Sequence, residues 1–213
     1  MSVYIVGITG GSGAPYALRL LDMLPQLGHA VKVVISPAGE RVLRIETGLQ
    51  LHGDVIEKQG QLHRFLGLEA PELPLELLDH GNLAAPISSG SFPAAGMVIV
   101  PCSMGSLGRI AAGVSTNLIE RAADVMLKER RQLVLVPRET PLNDIHLQNM
   151  LAVRRAGADI LPAMPGFYHH PKSVSDLVDM IVGKILDRLG IENALFQRWH
   201  GEDVDELLKI DDD

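Results

Sequence analysis

A single cysteine, Cys102, stands in 213 residues, so no internal disulfide framework can form. Aromatics are scarce, at four Phe, three Tyr and one Trp, which leaves Leu, Ile, Val and Ala to build the core. No run of about 18 uncharged apolar residues is present, so no spanning helix is expected. The first residues run straight into a strand pattern, without a basic-then-apolar leader, and a cytoplasmic protein is the expectation. Excess positive charge is also missing: the net charge is −7, against generic nucleic-acid binding. No HExxH or Cys/His spacing of a metal site occurs, and the adjacent His169 and His170 are a poor chelating pair. The one Asp run, Asp211 to Asp213, reads as a solvated tail, and no internal repeat or low-complexity block interrupts the chain.

What is present is ordinary globular composition, 46% apolar and 21% charged. A chain this long buries roughly 70% of the surface its unfolded form exposes. One domain over 1–190 with an extension over 191–213 is expected. Runs rich in β-branched residues near 3–9, 31–35, 97–101, 132–136 and 159–161 predict strands. Helical spacing predicts helices over 14–27, 38–51, 106–112, 118–129, 142–156 and 174–189. Residues 53–95, broken by Gly and Pro, give no firm assignment. Strands alternating with helices imply a parallel sheet covered on both faces, of Rossmann-like or flavodoxin-like type, with the ligand at the carboxyl ends of the strands.

Those strand ends carry the chemistry. Thr9-Gly10-Gly11-Ser12-Gly13 follows the first strand and opens a helix, where glycines admit a phosphate to amide donors. It lacks the lysine of a Walker loop and the full dinucleotide fingerprint. Ser36 ends the second strand. Cys102-Ser103-Met104-Gly105-Ser106 repeats the strand–turn–helix geometry, with Cys102 read as a buried hydrophobe rather than a nucleophile. Ser88-Ser89-Gly90-Ser91 is a donor-rich loop. Arg121 and Lys128, seven residues apart, share a helical face and suit either a phosphate or solvent. Pro137-Arg138-Glu139-Thr140-Pro141 places a cation and a proton carrier where a buried strand stops. Glu46 and Lys184 read by themselves as surface residues.

Gly7 to Ala14, Pro101-Cys102-Ser103-Met104, Asn117 to Val125, Leu135 to Leu142, Ile145 to Leu151 and Pro165-Gly166-Phe167-Tyr168 resemble the UbiX-type flavin prenyltransferases. The likeness runs from residue 3 to about 199. It implies alkylation of reduced FMN at N5 and then C6 by dimethylallyl phosphate, with the prenylated flavin passed to a UbiD-type decarboxylase. It also implies a homo-oligomer, commonly a dodecamer with sites between subunits. Carried over, Thr9, Gly10, Gly11, Ser12, Ser36, Ser103, Met104, Gly105, Ser106, Arg121 and Trp199 hold FMN. Ser89, Lys128, Arg138, Tyr168 and Lys184 hold the allylic phosphate, some from a neighbouring subunit. Glu139 moves the proton, with Glu46 and Ser12 in support. Gly11 replaces a usual Ala, Ser106 and Gly108 replace Thr and Ala, and Lys184 replaces a frequent Arg, which keeps the charge but loses the bidentate fork.

Two other functions share the pattern: a flavin-dependent cysteine decarboxylase, for which no catalytic His is found, and a passive flavin carrier, which has no use for Arg138-Glu139. Prenyl transfer needs the leaving phosphate neutralised. Without an Asp-rich magnesium motif that task falls to Arg, Lys, hydroxyl and amide donors. The expectation is that Ser12, Ser89, Arg121 and Arg138 meet at one edge of the sheet once neighbouring protomers are counted.

Overall fold

A computed structural model describes residues 1–68 and 74–199. Six strands form one sheet: β1 (Val3–Ile8), β2 (Ala30–Ile35), β3 (Leu75–Leu78), β4 (Ala94–Cys102), β5 (Gln132–Pro137) and β6 (Asp159–Ile160). All pairings are parallel, in the order β3-β2-β1-β4-β5-β6. Helices α1 (Ala14–Gln26), α2 (Pro37–Thr47), α3 (Val55–Phe65), α4 (Met104–Ala111), α5 (Leu118–Lys128), α6 (Asp144–Ala156) and α7 (Val174–Arg188) intervene, with a 3-10 turn at Pro86–Ser88. This is the expected doubly wound α/β fold, and its order reverses between β1 and β4. In such sheets the crevice at that reversal, outside the carboxyl ends, is the ligand position.

The central strands are apolar on both faces because helices cover both: Ile5, Val6, Ile8, Met97 to Val100 and Leu133 to Val136 are all fully buried. Each such side chain contributes about 1.5–3 kcal/mol on burial. Helix starts are set locally. Ser36, Ser103 and Asn117 accept hydrogen bonds from the backbone N–H of Gly39, Ser106 and Glu120. Left-handed Gly48 stops α2 at Thr47, four residues short of the end predicted from its periodicity.

Helix α3 and strand β3 fill the stretch that gave no assignment. Asp54 and Glu57 form a reciprocal capping box at the start of α3, a pattern legible in the sequence. β3 is four residues long and too short to show a period.

Gly39 fixes how α2 leaves the sheet. A Cβ there would lie 2.6 Å from the Ile8 carbonyl oxygen. Gly39→Ala is therefore expected to cost about 1–3 kcal/mol, as overpacking does. The check is a lower denaturation midpoint at unchanged slope.

Residues Met1–Met164 make one compact unit and those from Pro165 onward a second. The expected boundary at 190 differs from this one. Within the second unit Phe196 packs on Gly183 of α7, so the described residues after 190 belong with that helix. The acidic run Asp211 to Asp213 lies outside the described residues.

Candidate active site

Thr9 ties the two loops that flank the reversal. Its hydroxyl donates to the Pro101 carbonyl at 2.8 Å and accepts the Ser103 N–H at 2.7 Å. With 2% of its surface exposed and its hydroxyl engaged on both sides, Thr9 is a strut between β1 and β4 whose hydroxyl is already spent within the fold. Cys102 behind it is fully buried, and desolvation pushes its thiol up to about 12, so it is a hydrophobe and not a nucleophile, as read from sequence.

The glycine turn ends at Gly13, held at φ 125°, a conformation side chains disfavour. Past it the first amides of α1 are already occupied: Gly13 and Ala14 donate to Glu46 Oε2 at 2.9 and 2.8 Å. This corrects the simple picture of a phosphate seated on a bare helix start. Burial opposes the Glu46 charge, but hydrogen bonds from Ser12, Gly13 and Ala14 and the charge of Arg138 outweigh it, so its pKa lies below the usual carboxylate range. Arg138 Nε donates to the Ser12 carbonyl at 3.3 Å. The same Arg138 and Glu46 charges act on the Tyr16 phenol, whose pKa burial raises. Ser12, Glu46, Arg138 and Tyr16 thus form one polar cluster at the carboxyl edge. Half-buried Glu139 sits next to it, accepting the Thr140 N–H at 3.2 Å. A small cavity of about 70 Å³ lies beside Arg138 and Glu139, walled by Leu142, Met150 and Met164.

Ser36, Met104 and Gly105 lie at the carboxyl ends of β2 and β4, with Ser36 and Ser103 serving as helix caps. Ser103 Oγ donates to Ser106 Oγ at 3.1 Å, and Arg109 Nη2 donates to that same Ser106 oxygen at 3.3 Å. Arg109 Nε also donates to Glu120, a carboxylate only 1% exposed. Thr116 donates to the other Glu120 oxygen from its N–H at 2.9 Å and its hydroxyl at 2.7 Å. Glu120 is a buried anchor joining α4 to α5. The i, i+3 spacing of Ser103, Ser106 and Arg109 was the available signal.

Burial opposes the Glu120 charge, yet its donors hold its pKa below the usual value. A lowered folded pKa stabilises above the unfolded pKa and loses that contribution as pH falls through the folded one. Glu120→Gln is expected to cost about 1.5–3 kcal/mol at neutral pH. The gap from the unaltered protein, measured by denaturant titration, should narrow on acidification.

Ser89 and Lys128 are elsewhere. Lys128 precedes the first residue of β5 by four positions, whereas Arg138 follows its last. Six strand residues at about 3.3 Å each put the two ends about 20 Å apart. Ser89 likewise precedes β4, and a Cβ on Gly90 would meet Lys128 Nζ at 2.7 Å. Arg121 Nε donates to the Ser88 carbonyl at 3.0 Å and its Nη1 to Asp124 at 2.7 Å. Arg131 Nη2 donates to the Gly90 carbonyl at 2.7 Å, and its Nη1 to that of Phe92. Ser89, Arg121 and Lys128 thus gather along the α5 flank, and Lys128 lies about a strand length from the Arg138 of its own protomer.

Tyr168, Lys184 and Trp199 belong to the second unit. The Tyr168 and Trp199 rings meet edge-on at 5.8 Å, and the Lys184 ammonium lies 5.2 Å from the Phe196 ring centroid.

A larger cleft of about 470 Å³ opens past β2 and β3, lined by Glu40, Asp54, Asp79, Lys58 and His80 among others. Three carboxylates against one lysine make it a poor phosphate seat. Of the predicted cofactor residues it approaches Ser36 alone, through Ile35 and Pro37. The Ser12–Glu46–Arg138 cluster lies instead at the carboxyl edge by the β1/β4 reversal.

The flavoprotein family model matches residues 2–186. The chain belongs to the flavoprotein family. Within that family its curated relatives are of the UbiX type. The flavin prenyltransferase UbiX of Halalkalibacterium halodurans is 51% identical over 203 residues, covering 95% of each chain. That of Pseudomonas aeruginosa is 48% identical, covering 91% of this chain and 92% of the relative. A crystal structure of AnUbiX in complex with FMN and dimethylallyl pyrophosphate superposes with a TM-score of 0.83 at 42% identity, over 94% of this chain and 98% of that one. A dodecameric FMN-dependent UbiX-like decarboxylase from Escherichia coli O157:H7 gives 0.81 at 40% identity, over 93% of this flavoprotein and all of that chain. Cypemycin decarboxylase, 16% identical with a TM-score of 0.57, shares the fold alone.

Proposed function

We propose that this flavoprotein transfers the dimethylallyl group of dimethylallyl phosphate to N5 and then C6 of reduced FMN, releasing inorganic phosphate. The carrying observation is the Ser12–Glu46–Arg138 cluster beside Glu139 at the β1/β4 reversal, in a chain half identical to flavin prenyltransferases. The residues fit a flavin mononucleotide. Hydroxyls of Ser36 and Ser103 line the strand ends around Gly10, Gly11, Met104 and Gly105. Reduced FMN, once bound, supplies the electron-rich nucleophile.

The chain's own task is the departing phosphate. Breaking the allylic C–O bond leaves the electron pair on phosphate, and Arg138 offers that charge a guanidinium held in place through Ser12. Glu139 carries the proton between flavin and phosphate, with Glu46 and the Ser12 hydroxyl supporting it. Tyr168 and Lys184 are assigned in this reading to the allylic phosphate and Trp199 to the flavin.

Ser89 and Lys128 complete it from a second protomer, with Arg121 meeting the flavin there. The opposite-end placement of Lys128 and Arg138 on β5 supports a shared site, as does a dodecameric relative. The assembly is in this reading a homo-oligomer, commonly dodecameric, and the prenylated flavin goes to a UbiD-type decarboxylase in the cytoplasm. No helix among the described residues is long and apolar enough to cross a membrane.

The test is anaerobic incubation with reduced FMN and dimethylallyl phosphate, then mass analysis of the extracted flavin. A flavin heavier by one C5H8 unit, with stoichiometric phosphate release, is expected. An unchanged flavin mass refutes the reading.

A further inference from the structure

The segment after α7 folds back on that helix through an unusual set of contacts. Phe196 lies over Gly183, where a Cβ would meet its ring at 2.6 Å. Two cations flank the same ring, Lys184 at 5.2 Å and Arg198 at 5.3 Å. Arg198 forks onto Asp187, with Nη1 to Oδ2 at 2.9 Å and Nη2 to Oδ1 at 2.7 Å. Asn193 adds donation to the Gly183 carbonyl at 3.3 Å and to Asp187 at 3.0 Å. Trp199 comes directly after Arg198 and meets Tyr168 edge-on.

The arrangement has an electrostatic consequence. Asp187 follows Lys184 by three residues on one helix, the spacing at which the two would pair. Arg198 takes both Asp187 oxygens instead, so Lys184 acts on the Asp187 charge only through space and rests on a ring face that leaves its N–H donors unspent. The ammonium is left able to meet an external anion.

We infer that residues 191–199 are a clasp in which Phe196 and Arg198 act as positioning residues, holding Lys184 for the phosphate of the allylic substrate and Trp199 for the flavin. This rests on the proposed reaction, in which Lys184 meets the allylic phosphate and Trp199 the flavin.

Gly183→Ala separates fold from positioning. Alanine is the better helix former, so α7 is kept, while its methyl unseats Phe196. Arg198→Met releases Asp187 to quench Lys184. Trp199 is the chain's only tryptophan, so emission reports on the clasp directly. Both variants should shift that emission to longer wavelength and raise KM for dimethylallyl phosphate about tenfold with kcat nearly unchanged. Their affinity for inorganic phosphate, titrated through Trp199 emission, should weaken in parallel, and Arg198→Lys should recover part of it. Unaltered KM and phosphate affinity in both variants, with or without an emission shift, overturns the inference. The phosphate titration needs no turnover, so a wild-type protein that leaves the flavin unprenylated counts against the proposed reaction and not against the clasp.

Discussion

Arg138→Met is expected to lower kcat/KM for dimethylallyl phosphate by about 10²–10³-fold, the usual cost of removing one preorganised donor from a developing anion. Arg138 emerges directly from buried Pro137, so its backbone is fixed by the sheet. Its Nε is tied to the Ser12 carbonyl, which leaves the two Nη groups to donate elsewhere. Arg138→Lys should fall between the two, since lysine keeps the charge and loses the paired geometry. FMN affinity should stay within a few-fold in both variants. A loss below threefold in steady-state assays of the Met variant would remove Arg138 from the phosphate site.

Glu139→Gln should reduce the single-turnover rate by about 10²–10⁴-fold, the range for a general acid or base. Glutamine preserves size and can still accept the Thr140 N–H, so the loop should hold its shape. The deficit should appear in kcat with little change in KM. A KM effect alone would make Glu139 a binding group.

Much of this was legible because parallel strands buried on both faces are short β-branched runs. Strands β1, β2, β4 and β5 stand out for that reason, and the polar residues just past them locate the site. What stayed hidden depends on distance in the fold. Nothing in local spacing says that Glu46, on α2, reaches across to the first amides of α1. Glu120 has the look of any first-turn glutamate, and only the approach of Arg109 from another helix makes it a buried anchor. Lys128 and Arg138, ten residues apart, seem neighbours until β5 is seen to run between them. Thr9 reads as a ligand contact from its place in the glycine turn, yet the close pairing of β1 and β4 claims its hydroxyl.

The account stands on a phosphate site shared between protomers, and mixing two inactive variants tests that most directly. Lys128→Ala and Arg138→Met, each expected to be nearly inactive, are dissociated, combined in equal amounts and reassembled. A site drawing Lys128 from one copy and Arg138 from another should return roughly a quarter of the wild-type turnover through random pairing. Mixed assemblies no more active than the separate variants would contradict it.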